Sequence, residues 1–185
     1  MPQILPGEME FRKWLTDNAP ALMQKIGVRN QQIVLDYGCG PGMFSIACAS
    51  IVGMNGKVYA LDVRSHVLER LKESASIKGL HNVETMLIDT SNISIVLADE
   101  SIDVILLYDV LQEIDNKSGL LKELYRILRQ DGFLSIFPMH IGTEKCLDII
   151  NGLGIFRFRD SYCPTGLKSA SEVINFEKRI TPSQD

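Results

Sequence analysis

The sequence is poor in residues that hold metal ions or form disulfide frameworks. It has four cysteines and three histidines in 185 residues, and no two cysteines form a C-x-x-C pair. Zinc sites normally show such close ligand spacing, so no metal centre is predicted. A chain of this length can bury its own hydrophobic core, and disulfides are therefore not expected. The prediction is a reduced, cytoplasmic protein.

The sequence also lacks an excess of basic residues and long apolar runs. The 19 lysines and arginines are outnumbered by 23 acidic residues, giving a formal net charge of -4. This balance disfavours a nucleic-acid partner, because phosphate binding normally uses a basic face. The first residues show no basic start before an apolar stretch, so no signal peptide is expected. No apolar run reaches the roughly 18 residues of a bilayer span, so none is predicted.

Short apolar runs alternate with segments of helical periodicity. Strands are predicted over 32–38, 57–63, 82–89, 101–110 and 132–139. Several of these runs are apolar at every position, which is typical of parallel strands covered on both faces. The helix before the last of them is predicted to stop at Asp131 and Gly132. This alternation indicates right-handed βαβ units and a doubly wound α/β sheet.

The two ends of the chain depart from the alternation. Apolar residues between Phe11 and Ile26 predict one or two helices, interrupted near Pro20, with Asn18 placed to cap the second. Trp14 and Phe11 are expected to pack on the domain, or otherwise to line a site that an N-terminal helix would cover as a lid. The runs 154–163 and 171–179 read as two successive strands without a helix between them. They predict an antiparallel pair at one sheet edge.

The stretch "IVLDYGCGPG" (33–42) places Gly38, Gly40 and Gly42 between a strand and a helix. A strand, a glycine-rich turn and a helix together form a general nucleotide site. The dinucleotide fingerprint needs a third glycine where Met43 stands, and no Gly-Lys-Ser/Thr follows for a P-loop. No lysine or arginine lies between residues 31 and 57. A cofactor without phosphate is therefore favoured over a phosphate cradle or a purely structural turn.

Three predicted strands end in, or close to, an acidic residue: Asp36, Asp62 and Asp89. Asp62 closes the second strand, where a carboxylate can accept hydrogen bonds from two ribose hydroxyls. Asp89 is placed to accept from an adenine amino group. Asp36 is placed to position the turn, or to meet a cationic amino group through water. Together these acids predict an adenosyl site.

With these motifs in this order, the sequence resembles the class I S-adenosylmethionine-dependent methyltransferases, especially their small-molecule and quinone-type branch. The motifs are "VLDYGCGPG", "LDV", "LIDT", "IDVILLYDVLQEI" and "LLKELYRILRQDGFLSIF", and the resemblance covers roughly residues 30 to 140. It implies a Rossmann-like, doubly wound, mostly parallel seven-stranded sheet with an antiparallel C-terminal edge. It also implies S-adenosylmethionine as cofactor, S-adenosylhomocysteine as product, and one methyltransferase domain over 1–185 with a helical segment, a candidate lid, over 1–30.

The resemblance also assigns residues to the cofactor. Gly38, Gly40 and Gly42 would approach its methionine portion and ribose, so that a side chain at any of them would stand where the cofactor lies. Asp62 would hold the ribose, with Val63 against the adenine. The remaining expected contacts are Asp89 and Thr90 at the adenine amino edge and Tyr108 facing the pocket.

The expected reaction is in-line methyl transfer to a small organic acceptor. Three residues after the fourth and fifth strands are candidate general bases: Asp109, Glu113 and His140. The segment "YDVL" (108–111) stands where nucleobase N-methyltransferases carry an Asn/Asp-Pro-Pro-aromatic motif, which disfavours that class. A non-catalytic adenosyl-cofactor-binding module and a nicotinamide-dependent reductase remain the alternatives.

Overall fold

The protein is an α/β structure, described here from a computed structural model that covers residues 6–89, 93–164 and 172–179. Its helices and strands follow one another as α1 (Pro6–Ile26), β1 (Ile33–Tyr37), α2 (Met43–Val52), β2 (Lys57–Asp62), α3 (Ser65–Ile77), β3 (Val83–Leu87), β4 (Ile102–Tyr108), α4 (Lys117–Ile127), β5 (Leu128–Phe137), α5 (Thr143–Leu153), β6 (Phe156–Tyr162) and β7 (Val173–Lys178). No helix within the described ranges is both long and apolar enough to cross a membrane.

The strands form one seven-stranded sheet in the order β3-β2-β1-β4-β5-β7-β6. Strands β1 to β5 pair in parallel, and β7 pairs antiparallel with both β5 and β6. The predicted Rossmann-like fold with an antiparallel C-terminal edge is therefore confirmed. Successive crossovers reverse direction between β1 and β4, and ligands of such sheets bind beyond the carboxyl ends of the strands at this point.

Both faces of the sheet are buried at its central strands β1, β2, β4 and β5, which explains why several of these strands are continuously apolar. One face packs on α4 and α5, and its buried side chains include Leu35, Ile105, Leu107, Leu124 and Ile150. The other packs on α1 and α2, and its members include Met23, Val34, Cys48, Val104 and Leu106. Neighbouring residues of one strand alternate between the two sets, as the two-residue period of a strand requires. The sheet is thus a rigid base for loops at its carboxyl edge.

Helix α1 runs without a break through Pro20, so the predicted interruption there is wrong. Proline removes one helical hydrogen bond, but Leu15 and Met23 on either side of it are buried in the core and hold the helix together. Asn18 does not cap a second helix, because its Nδ2 donates to the carbonyl oxygen of Trp14 at 2.8 Å. Trp14 packs against the core, and the side chain of Phe11 lies outside the described residues.

Strand β5 begins four residues earlier than predicted. Leu128 already pairs with Ile102, and the register then shifts before Phe133 pairs with Val104. The segment between them is a bulge rather than the end of a helix. A Cβ atom on Gly132 would lie 2.7 Å from the carbonyl oxygen of Asp103. The need for glycine at position 132 is therefore better explained by the close approach of the β4 backbone than by the end of a helix.

Candidate functional site

The carboxyl ends of β1, β2 and β4 meet at one edge of the sheet, because β1 pairs in parallel with both neighbours. The glycine turn, residues 38–42, leads from β1 into α2 at this edge. The backbone amides of Gly38 and Cys39 both donate to the carbonyl oxygen of Leu61, each at 2.8 Å. These bonds hold the turn against the end of β2, beside Asp62.

Asp62 is only 3% exposed, and both of its carboxylate oxygens accept hydrogen bonds. Oδ2 accepts from the amide of Gly40 at 2.9 Å, and Oδ1 accepts from the amide of Arg64 at 3.0 Å. The Arg64 guanidinium donates from Nε to Oδ1 at 2.9 Å and from Nη2 to Oδ2 at 3.1 Å. Burial opposes ionisation, but these donors outweigh it and hold the pKa of Asp62 below its ordinary value. Asp62 is therefore ionised and is paired with the Arg64 guanidinium.

Arg64 lies in the site although no sequence motif pointed to it. Its Nη2 atom is 3.9 Å from the position that a Cβ atom on Gly40 would occupy. The side chain is 55% exposed, so the guanidinium covers the outer side of the turn while it pairs with Asp62. The signal available in the sequence was a cation two positions after the predicted ribose acid.

The three glycines of the turn are required for different reasons. A Cβ atom on Gly42 would lie 2.2 Å from Cδ1 of Leu71, and one on Gly38 would lie 2.7 Å from Cγ2 of Val110. The expectation that a side chain at each glycine would stand where a cofactor lies is wrong for these two, which face the protein itself. At Gly40 the added atom meets nothing closer than Arg64. Of the three, Gly40 alone has room for a Cβ atom.

Gly42→Ala is expected to destabilise the fold by about 1–3 kcal/mol more than the matched variant Gly79→Ala. Both glycines have positive φ, +83° and +68°, so both substitutions introduce left-handed strain. The new methyl group at position 42 must displace Leu71, whereas nothing lies within 4 Å of a Cβ atom at position 79. Urea denaturation of both variants measures the difference. Equal losses of stability would contradict a packing role for Gly42.

Asp36 ties β1 to the first turn of α2. Its carboxylate is 2% exposed, and its Oδ2 accepts from the hydroxyl of Ser45, itself buried, at 2.5 Å. Burial raises the pKa of Asp36 to about 6; the Ser45 hydrogen bonds oppose this rise, and the charge of Asp62 adds to it. This contact fits the predicted role of Asp36 in positioning the turn. No motif in the sequence indicates Ser45, which is one of two serines in an otherwise apolar helix.

Beyond Asp62, the same edge presents apolar side chains to solvent. Val63 follows β2 and is 50% exposed, and Leu87, which pairs with Asp62 at the end of β3, is 62% exposed. Asp89 is exposed and lies two residues past β3, which ends earlier than the predicted strand 82–89. Thr90 falls outside the described residues. Asp62 therefore lies between the glycine turn and two exposed apolar side chains, those of Val63 and Leu87. Such a site can bind a flat ring by apolar contact and an attached sugar by hydrogen bonds to the carboxylate.

Tyr108 lies in the core, which corrects the expectation that it faces the pocket. It is 6% exposed, and its ring packs edge-on against Phe44 and Phe137 at centroid distances of 4.7 and 5.7 Å. Its hydroxyl is hydrogen-bonded to Oγ of Ser135 at 2.9 Å, and burial raises its pKa well above the ordinary value. The strand period sets this direction, because Leu106, two residues earlier, faces the same side.

Two of the three candidate bases meet. Asp109 directly follows β4, His140 lies three residues past β5, and Nδ1 of His140 is within hydrogen-bond distance of Oδ1 of Asp109. Gln112, a further residue that no motif indicated, donates from Nε2 to the carbonyl oxygen of Asp109 at 2.7 Å and to its Oδ1 at 3.0 Å. Glu113 is exposed on the short 3-10 turn Leu111–Glu113.

Sequence comparison identifies relatives of the region that contains this edge. A family model described as "Methyltransferase domain" matches residues 29–146. A demethylmenaquinone methyltransferase from Geobacillus stearothermophilus is 31% identical over 120 residues, which make up 65% of this chain and 49% of the relative. The chain therefore spans about half the length of the curated relatives it matches.

Solved structures share the fold over most of the chain. A SAM-dependent methyltransferase from Aquifex aeolicus superposes with a TM-score of 0.76 at 22% identity, covering 88% of this chain and 90% of that one. The [4+2]-cyclase SpnF superposes with a TM-score of 0.71 at 13% identity, covering 90% and 82%. At these identities the likeness shows the fold alone. Because one of these proteins is named a cyclase, the shared fold does not determine the chemistry.

Proposed function

Because this chain belongs to the methyltransferase domain family, we propose that it binds S-adenosylmethionine and transfers its methyl group to a small organic acceptor. The observation that carries the proposal is the buried Asp62 carboxylate, which accepts the amide of Gly40 at a point of the turn where an added Cβ atom would meet only Arg64. A carboxylate at the end of the second strand can accept hydrogen bonds from both ribose hydroxyls of an adenosyl group. Asp62 ends β2, and β2 lies next to β1, which borders the point in the sheet where the crossovers reverse direction.

The residues of this edge fit the parts of the cofactor in turn. Gly40 leaves room for the methionine portion, Asp62 holds the ribose, and Val63 and Leu87 contact the adenine, with Asp89 at its amino edge. Thr90 is also proposed to lie at the adenine amino edge. Bound S-adenosylmethionine supplies a methyl group on a positively charged sulfur, which is already a good leaving group. The protein then contributes alignment and removal of water, which can lower the barrier by several kcal/mol.

The acceptor in this proposal is a small aromatic compound of the quinone class in its reduced, hydroxyl-bearing form. The support is the activity for which the relatives are named, since they are demethylmenaquinone methyltransferases. The acceptor would lie beyond β4 and β5, where Asp109 and His140 meet. The net charge of -4 supports a small molecule over a nucleic acid. A cytoplasmic location, predicted from the cysteine usage, belongs to the same proposal.

Calorimetric titration of the folded chain tests the proposal. S-adenosylhomocysteine and S-adenosylmethionine are expected to bind, and NAD and NADP are not. The second step is to follow labelled methyl groups from S-adenosylmethionine into a metabolite extract. Binding of NAD or NADP instead would favour a reductase. Binding of S-adenosylhomocysteine without any methyl transfer would favour a non-catalytic cofactor-binding module.

Arg64→Met is expected to tighten S-adenosylhomocysteine binding about two- to fivefold. The Arg64 guanidinium occupies lone pairs of Asp62 that the ribose hydroxyls need, and it must leave them when the cofactor binds. An ion pair with a partner this exposed is worth roughly 0.2–1 kcal/mol, which limits the gain. Calorimetry at low and moderate salt measures the change. Weaker binding by the variant would instead indicate that Arg64 contacts the cofactor.

A further inference from the structure

The segment after β4 borders both the glycine turn and β5. Val110 packs so closely on Gly38 that a Cβ atom there would lie 2.7 Å from Cγ2 of Val110. The amide of Asp109 donates to the carbonyl oxygen of Phe137, the last residue of β5, at 2.9 Å. Asp109 therefore lies between the turn and the loop that carries His140. This is the part of the edge where an acceptor would approach a methyl group held at Gly40.

Asp109 is held in an unusual backbone conformation. Its φ is +54°, in the left-handed region that non-glycine residues seldom adopt. Gln112 fixes the residue with hydrogen bonds to its carbonyl oxygen and its carboxylate. Such strain persists only where surrounding contacts enforce it, and it is concentrated at functional sites. The geometry aims the Asp109 carboxylate at the ring of His140.

Asp109 is the more buried member of the Asp109–His140 pair, and His140 is the more exposed one. The Asp109 side chain is 21% exposed and the His140 side chain 53% exposed, and they meet through Oδ1 and Nδ1. When Nδ1 donates to the carboxylate, the neutral imidazole keeps its lone pair on Nε2, the nitrogen on the far side of the ring. The Asp109 carboxylate thus selects the tautomer of His140 that can take up a proton.

We propose that His140 is the general base of this protein, with Asp109 as its positioning residue, for an acceptor that carries a weakly acidic hydroxyl on an aromatic ring. This inference rests on the proposed function. The Asp109–His140 pair adds a proton acceptor to a cofactor edge that otherwise contributes only binding. A base is needed when the acceptor is poorly ionised at working pH, which is the case for phenols and hydroquinones.

In the methylation of a ring carbon, proton transfer to His140 precedes methyl transfer. The acceptor hydroxyl gives its proton to Nε2 of His140, and the electron pair left on oxygen delocalises to the adjacent ring carbon. That carbon forms a bond to the methyl carbon while the methyl–sulfur bond breaks with its pair on sulfur. Loss of the ring hydrogen as a proton to solvent restores the aromatic ring, and the oxygen takes its proton back from His140.

The test uses the full chain, labelled S-adenosylmethionine and 1,4-dihydroxynaphthalene as the acceptor probe. His140→Gln is expected to lower kcat about 10²- to 10³-fold, with S-adenosylhomocysteine affinity unchanged within twofold. In His140→Ala, added imidazole is expected to restore turnover in proportion to its concentration. A merely structural histidine would not respond in this way.

Asp109→Asn tests the positioning role. Asparagine tolerates the left-handed conformation, so the backbone is expected to stay intact. A fall in kcat of about tenfold, with the KM for the probe unchanged, supports the role. The matched control is His81→Gln, an exposed histidine at the opposite end of β3, which is expected to leave kcat unchanged.

Two results would separate the inference from the proposed function. If wild-type protein methylates the probe and His140→Gln keeps its kcat within threefold, or imidazole fails to restore His140→Ala, the general-base assignment is overturned. If wild-type protein does not bind S-adenosylhomocysteine, the proposed function is overturned.

Discussion

Asp62→Ala is expected to weaken S-adenosylhomocysteine binding about tenfold to hundredfold. Hydrogen bonds to a charged group are worth about 1.5–3 kcal/mol, and the variant removes the acceptor shared by two ribose hydroxyls. The loss has a second source, because Asp62 also accepts the amide of Gly40 at 2.9 Å. Removing the carboxylate therefore loosens the glycine turn as well. Calorimetry on the folded variant measures the change.

Asp62→Asn separates these two sources. The amide oxygen of asparagine can still accept from Gly40, so the turn keeps its partner, but the negative charge and one acceptor are lost. We expect an intermediate loss of affinity for this variant. Asp131→Ala, which removes an 88% exposed carboxylate at the opposite end of the sheet, is the matched control and should leave binding unchanged. If Asp62→Ala binds S-adenosylhomocysteine as tightly as wild type, the proposed adenosyl site at Asp62 is contradicted.

Asp62 could be predicted from sequence because its position follows from regular features. Continuous apolar runs identify parallel strands, and the carboxyl ends of parallel strands meet at one edge. An acid at the end of the second run must therefore lie near the glycine turn after the first. The same logic gave the antiparallel edge, since two strands without an intervening helix cannot form a right-handed crossover.

The remaining features of the site depend on side-chain contacts that the periodicity of apolar residues does not indicate. Arg64 could have faced solvent, and its pairing with Asp62 follows from how the chain turns into α3. The hydrogen bond between Asp109 and His140 joins residues 31 positions apart on different loops. The close contact that a Cβ atom on Gly42 would make with Leu71 on α3 is likewise not indicated by the pattern of the turn. Such contacts depend on packing between elements, which the local pattern of each element leaves open.

Asp36 is expected to make the stability of the protein fall as pH rises from about 4 to about 6. Burial raises its folded-state pKa from 3.8 to about 6, so within this range the folded protein holds a proton that the unfolded chain has released. Stability decreases with pH wherever the folded state binds more protons. Each pH unit between the two values is worth about 1.4 kcal/mol, which amounts to about 3 kcal/mol above pH 6.

Urea denaturation of wild type and Asp36→Asn from pH 4 to 8 isolates this contribution. The free energy of unfolding of wild type minus that of the variant should fall by about 3 kcal/mol across the window and stay level above it. The decisive quantity is the slope of this difference against pH. Asparagine also changes the hydrogen bond with Ser45, but that change adds the same free energy at every pH. A flat difference would mean that Asp36 is ionised throughout. Because a cationic cofactor near Asp36 would favour its ionised form, saturating S-adenosylmethionine should move the window to lower pH.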